Sequence, residues 1–192
     1  MPNRPMSYQV ARLAPGDSAV ARRLFSTMAE VFEEEYERLS DEYLAQLLAR
    51  DQFWALAATW GEEIVGGLTA HTLPMTRSES REVFIYDIAV RVDHQRRGVG
   101  RRLVSHLIRI AKDSGIHDLF VPADDEDAHA IEFYRALGGV ASPVTLFTFS
   151  RGGPTESAGW SADSPPCRSR ARRRCERPRT ACRARGGRGH TP

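Results

Sequence analysis

One stretch of the chain, residues 83–100, constrains the fold more than any other. It reads VFIYDIAVRVDHQRRGVG: an apolar strand pattern over Val83–Val90, a short polar turn, and the glycine-containing start of an amphipathic helix. A helix N-terminus offers unpaired backbone N–H groups and the positive end of the helix dipole. Gly98 and Gly100 let a ligand approach the backbone closely. The sequence therefore predicts a pyrophosphate site beside the strand carboxylate Asp87.

The chain up to residue 150 reads as a series of strands and helices. Strands are predicted from apolar runs and alternation, and helices from apolar residues three and four apart. The predicted strands are Tyr8–Leu13, Phe53–Trp60, Ile64–Leu73, Val83–Val90, Leu119–Ala123 and Val144–Phe149, and helices are predicted to begin near Asp17, Ser40, Gly98 and Ala128. Two strand–helix–strand crossovers follow a hairpin. They predict an α/β fold with a mixed central sheet flanked by helices, in one domain over residues 8–150.

The charge divides the chain into two unlike parts. Residues 151–192 hold 11 Arg and no Lys against three acidic residues, a net charge of +8, whereas residues 1–150 hold 16 basic and 22 acidic residues, a net charge of −6. The acidic part favours a cationic small-molecule partner and argues against nucleic acid. The Arg-rich tail, 151–192, lacks Leu, Ile, Val, Phe and Met and is predicted to be disordered. It either binds acidic partners, lies against the acidic part or is functionally neutral.

Composition also excludes several kinds of chemistry. All three cysteines, Cys167, Cys175 and Cys182, lie in the tail, so thiol catalysis and disulfides are excluded from residues 1–150. The six histidines show no metal-ligand spacing, and no metal site is predicted. No apolar run reaches membrane-spanning length and no leader sequence is recognised. We therefore expect a cytoplasmic protein without a membrane partner.

The residues around the predicted pyrophosphate site resemble the GNAT superfamily of acetyl-CoA-dependent N-acetyltransferases. That superfamily carries an Arg/Gln-x-x-Gly-x-Gly/Ala signature at a strand–helix junction, matched by QRRGVG at 95–100, and a late-helix tyrosine, matched by Tyr134. A narrower likeness is to the class I aminoglycoside 3-N-acetyltransferases, the gentamicin-resistance enzymes. The segments IYDIAV, HQRRGVG, VPADDEDAHAIEFYRALG and LLARDQFWALAA carry it. Asp125 departs from it, standing where that subfamily has an aromatic residue.

The resemblance implies that acetyl-CoA binds as a cosubstrate where the strands Val83–Val90 and Leu119–Ala123 splay apart. One backbone N–H group of the first strand is expected to polarise the thioester carbonyl. The residues expected to bind the cosubstrate are Ile88, Ala89, Val90, Gln95, Arg96, Arg97, Gly98, Val99, Gly100 and Arg101.

Asp87 is the candidate catalytic base. In a regular strand it shares a face with Val83, Ile85 and Ala89, while Tyr86 points away. A carboxylate among apolar neighbours is costly to bury unless it is paired or used. Asp87 either takes a proton from the acceptor ammonium, or holds that ammonium, or is a structural residue tied to an Arg or to backbone N–H groups.

Tyr134 and the acidic loop after the last predicted internal strand each allow two interpretations. The resemblance makes Tyr134 a general acid for the departing thiolate, and the alternative is an ordinary core tyrosine. The acidic loop, Asp124–Asp127, either attracts a polycationic acceptor or is a solvated charge run that begins a helix. We expect Asp127 to cap that helix, and Asp124 and Asp125 to face the substrate.

Together these features predict an enzyme that acetylates the 3-amino group of gentamicin-type aminoglycosides by direct transfer in a ternary complex, conferring resistance. One alternative is a GNAT enzyme for a polyamine, a metabolite amine or a protein N-terminus. Another is a catalytically silent acyl-CoA-binding module. The range of aminoglycosides that the enzyme accepts is left open, and so is whether it forms a homodimer.

Overall fold

The computed structural model describes residues 7–147. Its elements are β1 (Tyr8–Arg12), α1 (Ser18–Phe32), α2 (Asp41–Leu48), β2 (Phe53–Trp60), β3 (Glu63–Pro74), β4 (Arg81–Val90), a 3-10 turn (Val92–His94), α3 (Val99–Asp113), β5 (Asp118–Phe120) and α4 (Ala128–Arg135). Within this range the five strands form one sheet in the order β1-β2-β3-β4-β5. The pairs are antiparallel except β4–β5, which is parallel. The predicted mixed sheet flanked by helices is confirmed.

Helices cover both faces of this sheet. On one face, Leu103 and Leu107 of α3 are fully buried against sheet residues such as Leu68. Four-residue spacing places such side chains in one stripe along the helix. On the other face, Leu24 of α1 and Leu44 of α2 are fully buried. None of the helices in residues 7–147 has the length and apolar character needed to cross a membrane.

Strand β4 contains a bulge at Tyr86. Ile85 pairs with Ala70 and Asp87 pairs with Thr69, so two steps along β4 oppose one step along β3. An extra residue of this kind reverses the side-chain alternation beyond it, because a strand has a period of two residues.

The bulge corrects the predicted faces of β4. Val83 and Ile85 pack in the core beneath α3, whereas Ala89 packs in the core beneath α1 and α2. The prediction that Val83, Ile85, Asp87 and Ala89 share one face is therefore wrong. Alternation assigns faces correctly only along an unbroken ladder.

Strand β5 pairs with only the first part of β4. The paired residues run from Glu82 and Asp118 to Phe84 and Phe120, so β5 is shorter than the predicted Leu119–Ala123. Strand β4 continues to Val90 without β5 beside it. The two strands thus diverge and leave a gap along the second half of β4.

The segment after α4 differs from its prediction. Residues 139–147 form neither strand nor helix, and Val144 is 81% and Phe147 77% exposed. The predicted strand Val144–Phe149 is therefore wrong for residues 144–147, and its last two residues lie outside the described part of the chain. Alternating apolar residues favour a strand but do not supply its partner. The predicted disordered tail, 151–192, also lies outside the described residues.

Candidate active site

A cleft of about 580 Å³ opens between the end of β4, the start of α3 and the helix α4. Predicted site residues that line it are Ile88, Val90, Gln95, Arg96, Gly98, Val99, Gly100, Arg101, Asp127 and Tyr134. The other lining residues are Phe32, His94, Pro122, Ala123, His129, Ala130 and Phe133. Five predicted site residues lie outside this lining: Asp87, Ala89, Arg97, Asp124 and Asp125.

The N-terminus of α3 faces the cleft. Its N-cap, Gly98, has a φ of 79°, a left-handed conformation that glycine adopts without strain. The first intrahelical bond runs from the N–H of Arg102 to the carbonyl oxygen of Gly98 at 3.0 Å. The N–H groups of Val99, Gly100 and Arg101 precede that bond, so they can bind an anion together with the helix dipole.

Two side chains fix the turn that leads into α3. The amide Nε2 of Gln95 donates to the carbonyl oxygen of Val90 at 2.8 Å, which ties the turn to the end of β4. Arg91 bonds Glu63 and also donates to Asp93 at 3.0 Å. Gln95 was predicted as a cosubstrate contact, and here its amide holds the backbone that shapes the site.

His94 is a cleft residue that sequence reasoning missed. It is only 8% exposed. Its Nδ1 lies 3.0 Å from the hydroxyl of Tyr8, and its Nε2 lies 3.5 Å from Oδ2 of Asp93. It therefore connects β1 to the cleft wall. No local pattern signals it, because Tyr8 is 86 residues away in the chain.

Phe133 forms an apolar wall of the cleft, and its position explains why residue 100 is a glycine. A Cβ atom at Gly100 would lie 3.3 Å from the ring of Phe133, closer than an ordinary van der Waals contact. The absence of a side chain at Gly100 thus lets α4 approach the start of α3.

Tyr134 is held as a neutral phenol. Burial, together with the nearby carboxylate of Asp127, raises the pKa of Tyr134 from 10.0 to about 12. The hydroxyl therefore stays protonated at physiological pH and can donate a hydrogen bond. Because the folded state disfavours the phenolate, this group contributes stability that is fully present below pH 10 and lost as the pH rises toward 12.

Asp87 lies on the sheet face opposite α3. Its Oδ2 accepts a long hydrogen bond from Oγ1 of Thr69 at 3.4 Å. Burial lowers the pKa of His71 below its ordinary value, and the charge of Asp87 partly offsets this effect. The ring of Tyr86 lies 5.8 Å from that of His71, which places Tyr86 beside Asp87 on this face. The expectation that Tyr86 points away from Asp87 is wrong because of the bulge.

The gap between β4 and β5 connects Asp87 with the cleft. Pairing ends at Phe84 and Phe120. Ile88, the residue after Asp87, lines the cleft and packs toward the α3 side, whereas Phe32 lines it from the end of α1 on the other side. The cleft therefore reaches around the open edge of β4, and a ligand bound at α3 can extend to the face that carries Asp87.

The acidic loop is first of all a turn and a helix cap. Oδ1 of Asp127 accepts from the N–H of Ala130 at 3.0 Å, which confirms the predicted cap of α4. Oδ1 of Asp124 accepts from the N–H of Glu126 at 3.1 Å. Asp125 is exposed. Across residues 7–147, no group of three or more His, Cys, Asp or Glu side chains is arranged to hold a metal ion.

A mixed sheet that opens beside a helix N-terminus is typical of proteins that bind a phosphorylated cosubstrate, because the N-terminal N–H groups and the helix dipole attract phosphate. Comparison with known families identifies the class. Residues 21–138 match the acetyltransferase (GNAT) family. The chain belongs to this family, whose members are N-acetyltransferases that use acetyl-CoA.

The chain is also similar to individual proteins of known structure or activity. An aminoglycoside acetyltransferase from an uncultured soil metagenomic sample is 37% identical, with a TM-score of 0.72 over 77% of this chain and 100% of that one. A second such enzyme from a soil metagenomic sample, solved with sisomicin, is 30% identical, with a TM-score of 0.71 over 74% of this chain and 95% of that one. The ribosomal protein bS18-alanine N-acetyltransferase of Escherichia coli (strain K12) is 39% identical over 57 residues, which cover 30% of this chain and 38% of that enzyme.

Proposed function

We propose that this chain transfers the acetyl group of acetyl-CoA to the 3-amino group of the 2-deoxystreptamine ring of gentamicin-type aminoglycosides. Transfer occurs directly, with both substrates bound. Acetylation removes a positive charge from the drug, as it does from lysine, and thereby confers resistance. The observation that carries the proposal is the position of Asp87, across the β4–β5 gap from a cleft built around a helix N-terminus.

The cosubstrate half of the site is proposed to lie in the cleft. The N–H groups of Val99, Gly100 and Arg101 hold the pyrophosphate, and the guanidinium of Arg96 adds positive charge. Ile88 and Ala89, where β5 no longer pairs with β4, guide the pantetheine arm through their backbone. When bound, acetyl-CoA supplies the acyl group, and a backbone N–H group of β4 stabilises the negative charge that develops on its carbonyl oxygen.

The acceptor half is proposed to lie on the face of Asp87. An amine must lose a proton before it attacks a thioester, and Asp87 accepts that proton directly or through a water molecule. The hydrogen bond from Thr69 orients the carboxylate. His71, whose pKa is lowered by burial, is largely neutral near pH 7 and does not repel the acceptor ammonium.

Tyr134 is proposed to stabilise the departing thiolate. Its pKa of about 12 lies well above the ordinary thiol value of about 8.5. The phenol is therefore a weaker acid than the thiol that forms, and its proton stays on oxygen throughout the transfer. Tyr134 stabilises the departing sulfur as a hydrogen-bond donor, and coenzyme A leaves as a thiolate that takes its proton from solvent.

The acceptor class is supported by charge and by the similar structures. Residues 1–150 carry a net charge of −6, which attracts a molecule with several ammonium groups. Asp125, which is exposed, and Asp124 attract the acceptor, while Asp127 adds negative charge although its side chain caps α4. Two of the similar structures are aminoglycoside acetyltransferases, and one was solved with sisomicin.

The proposal is tested by following release of the coenzyme A thiol with three amines: gentamicin, spermidine and a peptide with an N-terminal alanine. We expect kcat/KM for gentamicin to exceed the other two values by about 100-fold or more, since selectivity reflects differential binding in the transition state. Preferential release with spermidine or with the peptide would contradict the proposed acceptor while leaving the acetyltransferase class intact.

A further inference from the structure

We propose that an exposed aromatic surface beside Asp87 is a binding platform for a ring of the acceptor. The surface, called here the aromatic platform, consists of Phe84, Tyr86 and Phe120 and is flanked by His71. The inference rests on the proposed function and deepens it, because it assigns the contacts that hold the acceptor against the catalytic carboxylate.

The platform is a continuous row of rings across three strands. Phe84 of β4 stacks on Phe120 of β5, with centroids 5.2 Å apart and planes inclined by 29°. Phe84 also meets Tyr86 edge to face at 5.9 Å. Tyr86 in turn meets His71 of β3 at 5.8 Å. These contacts fix the positions of the rings, so the surface is organised before any ligand binds.

The bulge in β4 creates this surface. Tyr86, the extra residue, lies on the same face as its neighbour Asp87 and as Phe84, instead of pointing to the α3 side. Tyr86 remains 48% exposed and Phe120 44% exposed. The same sheet face is covered by α1 and α2 elsewhere. Large aromatic side chains that stay partly exposed beside a covered core indicate a binding surface.

The charges beside the platform indicate which kind of molecule binds to it. The carboxylate of Asp87 adjoins the platform, and the faces of aromatic rings also attract cations. A saturated six-membered ring that carries ammonium groups satisfies both, since its C–H face lies on the aromatic rings while an ammonium group reaches Asp87. The platform also borders the gap between β4 and β5, because the pairing of the two strands ends at Phe84 and Phe120, both of which belong to the platform. A protein partner seated here would close the acceptor's route to that gap.

The test compares two tyrosines of equal exposure. Tyr86→Ala removes a platform ring, whereas Tyr43→Ala removes a ring of α2 that is 49% exposed against 48% for Tyr86. We expect Tyr86→Ala to raise the KM for gentamicin about tenfold, as loss of a cation–ring contact implies. The KM for acetyl-CoA stays within about twofold, because Tyr86 lies outside the cleft lining. Tyr86→Phe keeps the ring and restores the gentamicin KM, and Tyr43→Ala leaves it unchanged.

Calorimetry separates the aromatic platform from the proposed function. It measures the binding of 2-deoxystreptamine to the full chain saturated with coenzyme A. Loss of this binding in Tyr86→Ala, with no acetylation of gentamicin by the wild type, would support the platform and overturn the proposed function. Equal gentamicin KM values for Tyr86→Ala and Tyr43→Ala in an active enzyme would overturn the platform alone. Absence of both binding and turnover would overturn both claims. Light scattering that shows a dimer dissociated by Tyr86→Ala would overturn the platform by assigning this surface to a second copy of the chain.

Discussion

Asp87→Asn lowers the kcat for acceptor acetylation about 1,000-fold, within the range observed for loss of a catalytic base. The amide has nearly the same shape as the carboxylate and can still accept the hydrogen bond from Thr69, but it cannot take a proton from the ammonium. Because Asp87 lies outside the cleft lining, the KM for acetyl-CoA is unchanged. Steady-state kinetics with each substrate varied in turn measure both effects.

Asp113→Asn is the control for this experiment, since Asp113 is an exposed carboxylate at the end of α3 that pairs with Arg109. It leaves kcat unchanged. An Asp87→Asn enzyme with normal kcat and a raised acceptor KM would show that Asp87 holds the ammonium without taking its proton. Normal values for both parameters would remove Asp87 from the acceptor site.

Reversing the two cleft arginines in the double variant Arg96→Glu, Arg101→Glu raises the KM for acetyl-CoA about 100-fold, because each reversal replaces a positive charge at the phosphate site with a negative charge that repels the phosphates. The kcat at saturating acetyl-CoA changes much less, since neither side chain is assigned to the reacting atoms. A thiol-release assay over a range of acetyl-CoA concentrations measures the change.

Arg97→Glu, Arg102→Glu is the matched double variant. It makes the same change in charge on neighbouring exposed residues that lie outside the cleft lining. We expect an increase in acetyl-CoA KM of no more than about threefold, the effect of screened surface charge. Equal increases in the two double variants would show that a general positive field, rather than contacts in the cleft, attracts the cosubstrate.

Features fixed by neighbouring residues were predictable from the sequence. The glycine turn and amphipathic pattern around Val99–Asp113 place a helix N-terminus beside a strand, and the structure has that arrangement. The cap at Asp127 was equally local. Caps and helix starts depend on residues a few positions apart, and such short-range patterns are visible in one sequence.

Features fixed by contacts between distant segments were not predictable. The bulge at Tyr86 depends on how β4 pairs with β3, and the run of apolar residues around it looks like a regular strand. The bond between His94 and Tyr8 joins residues far apart in the chain. The segment 144–147 carries a strand pattern, but no strand of the described sheet pairs with it. Each case needs tertiary information that an alternating pattern does not contain.

The position of the acetyl group on the product tests the central claim most directly. Gentamicin is incubated with acetyl-CoA and the full chain, and the product is analysed by two-dimensional NMR. We predict that the new amide proton correlates with carbon 3 of the 2-deoxystreptamine ring. An acetyl group on any other amine, or recovery of unmodified gentamicin, would contradict the account.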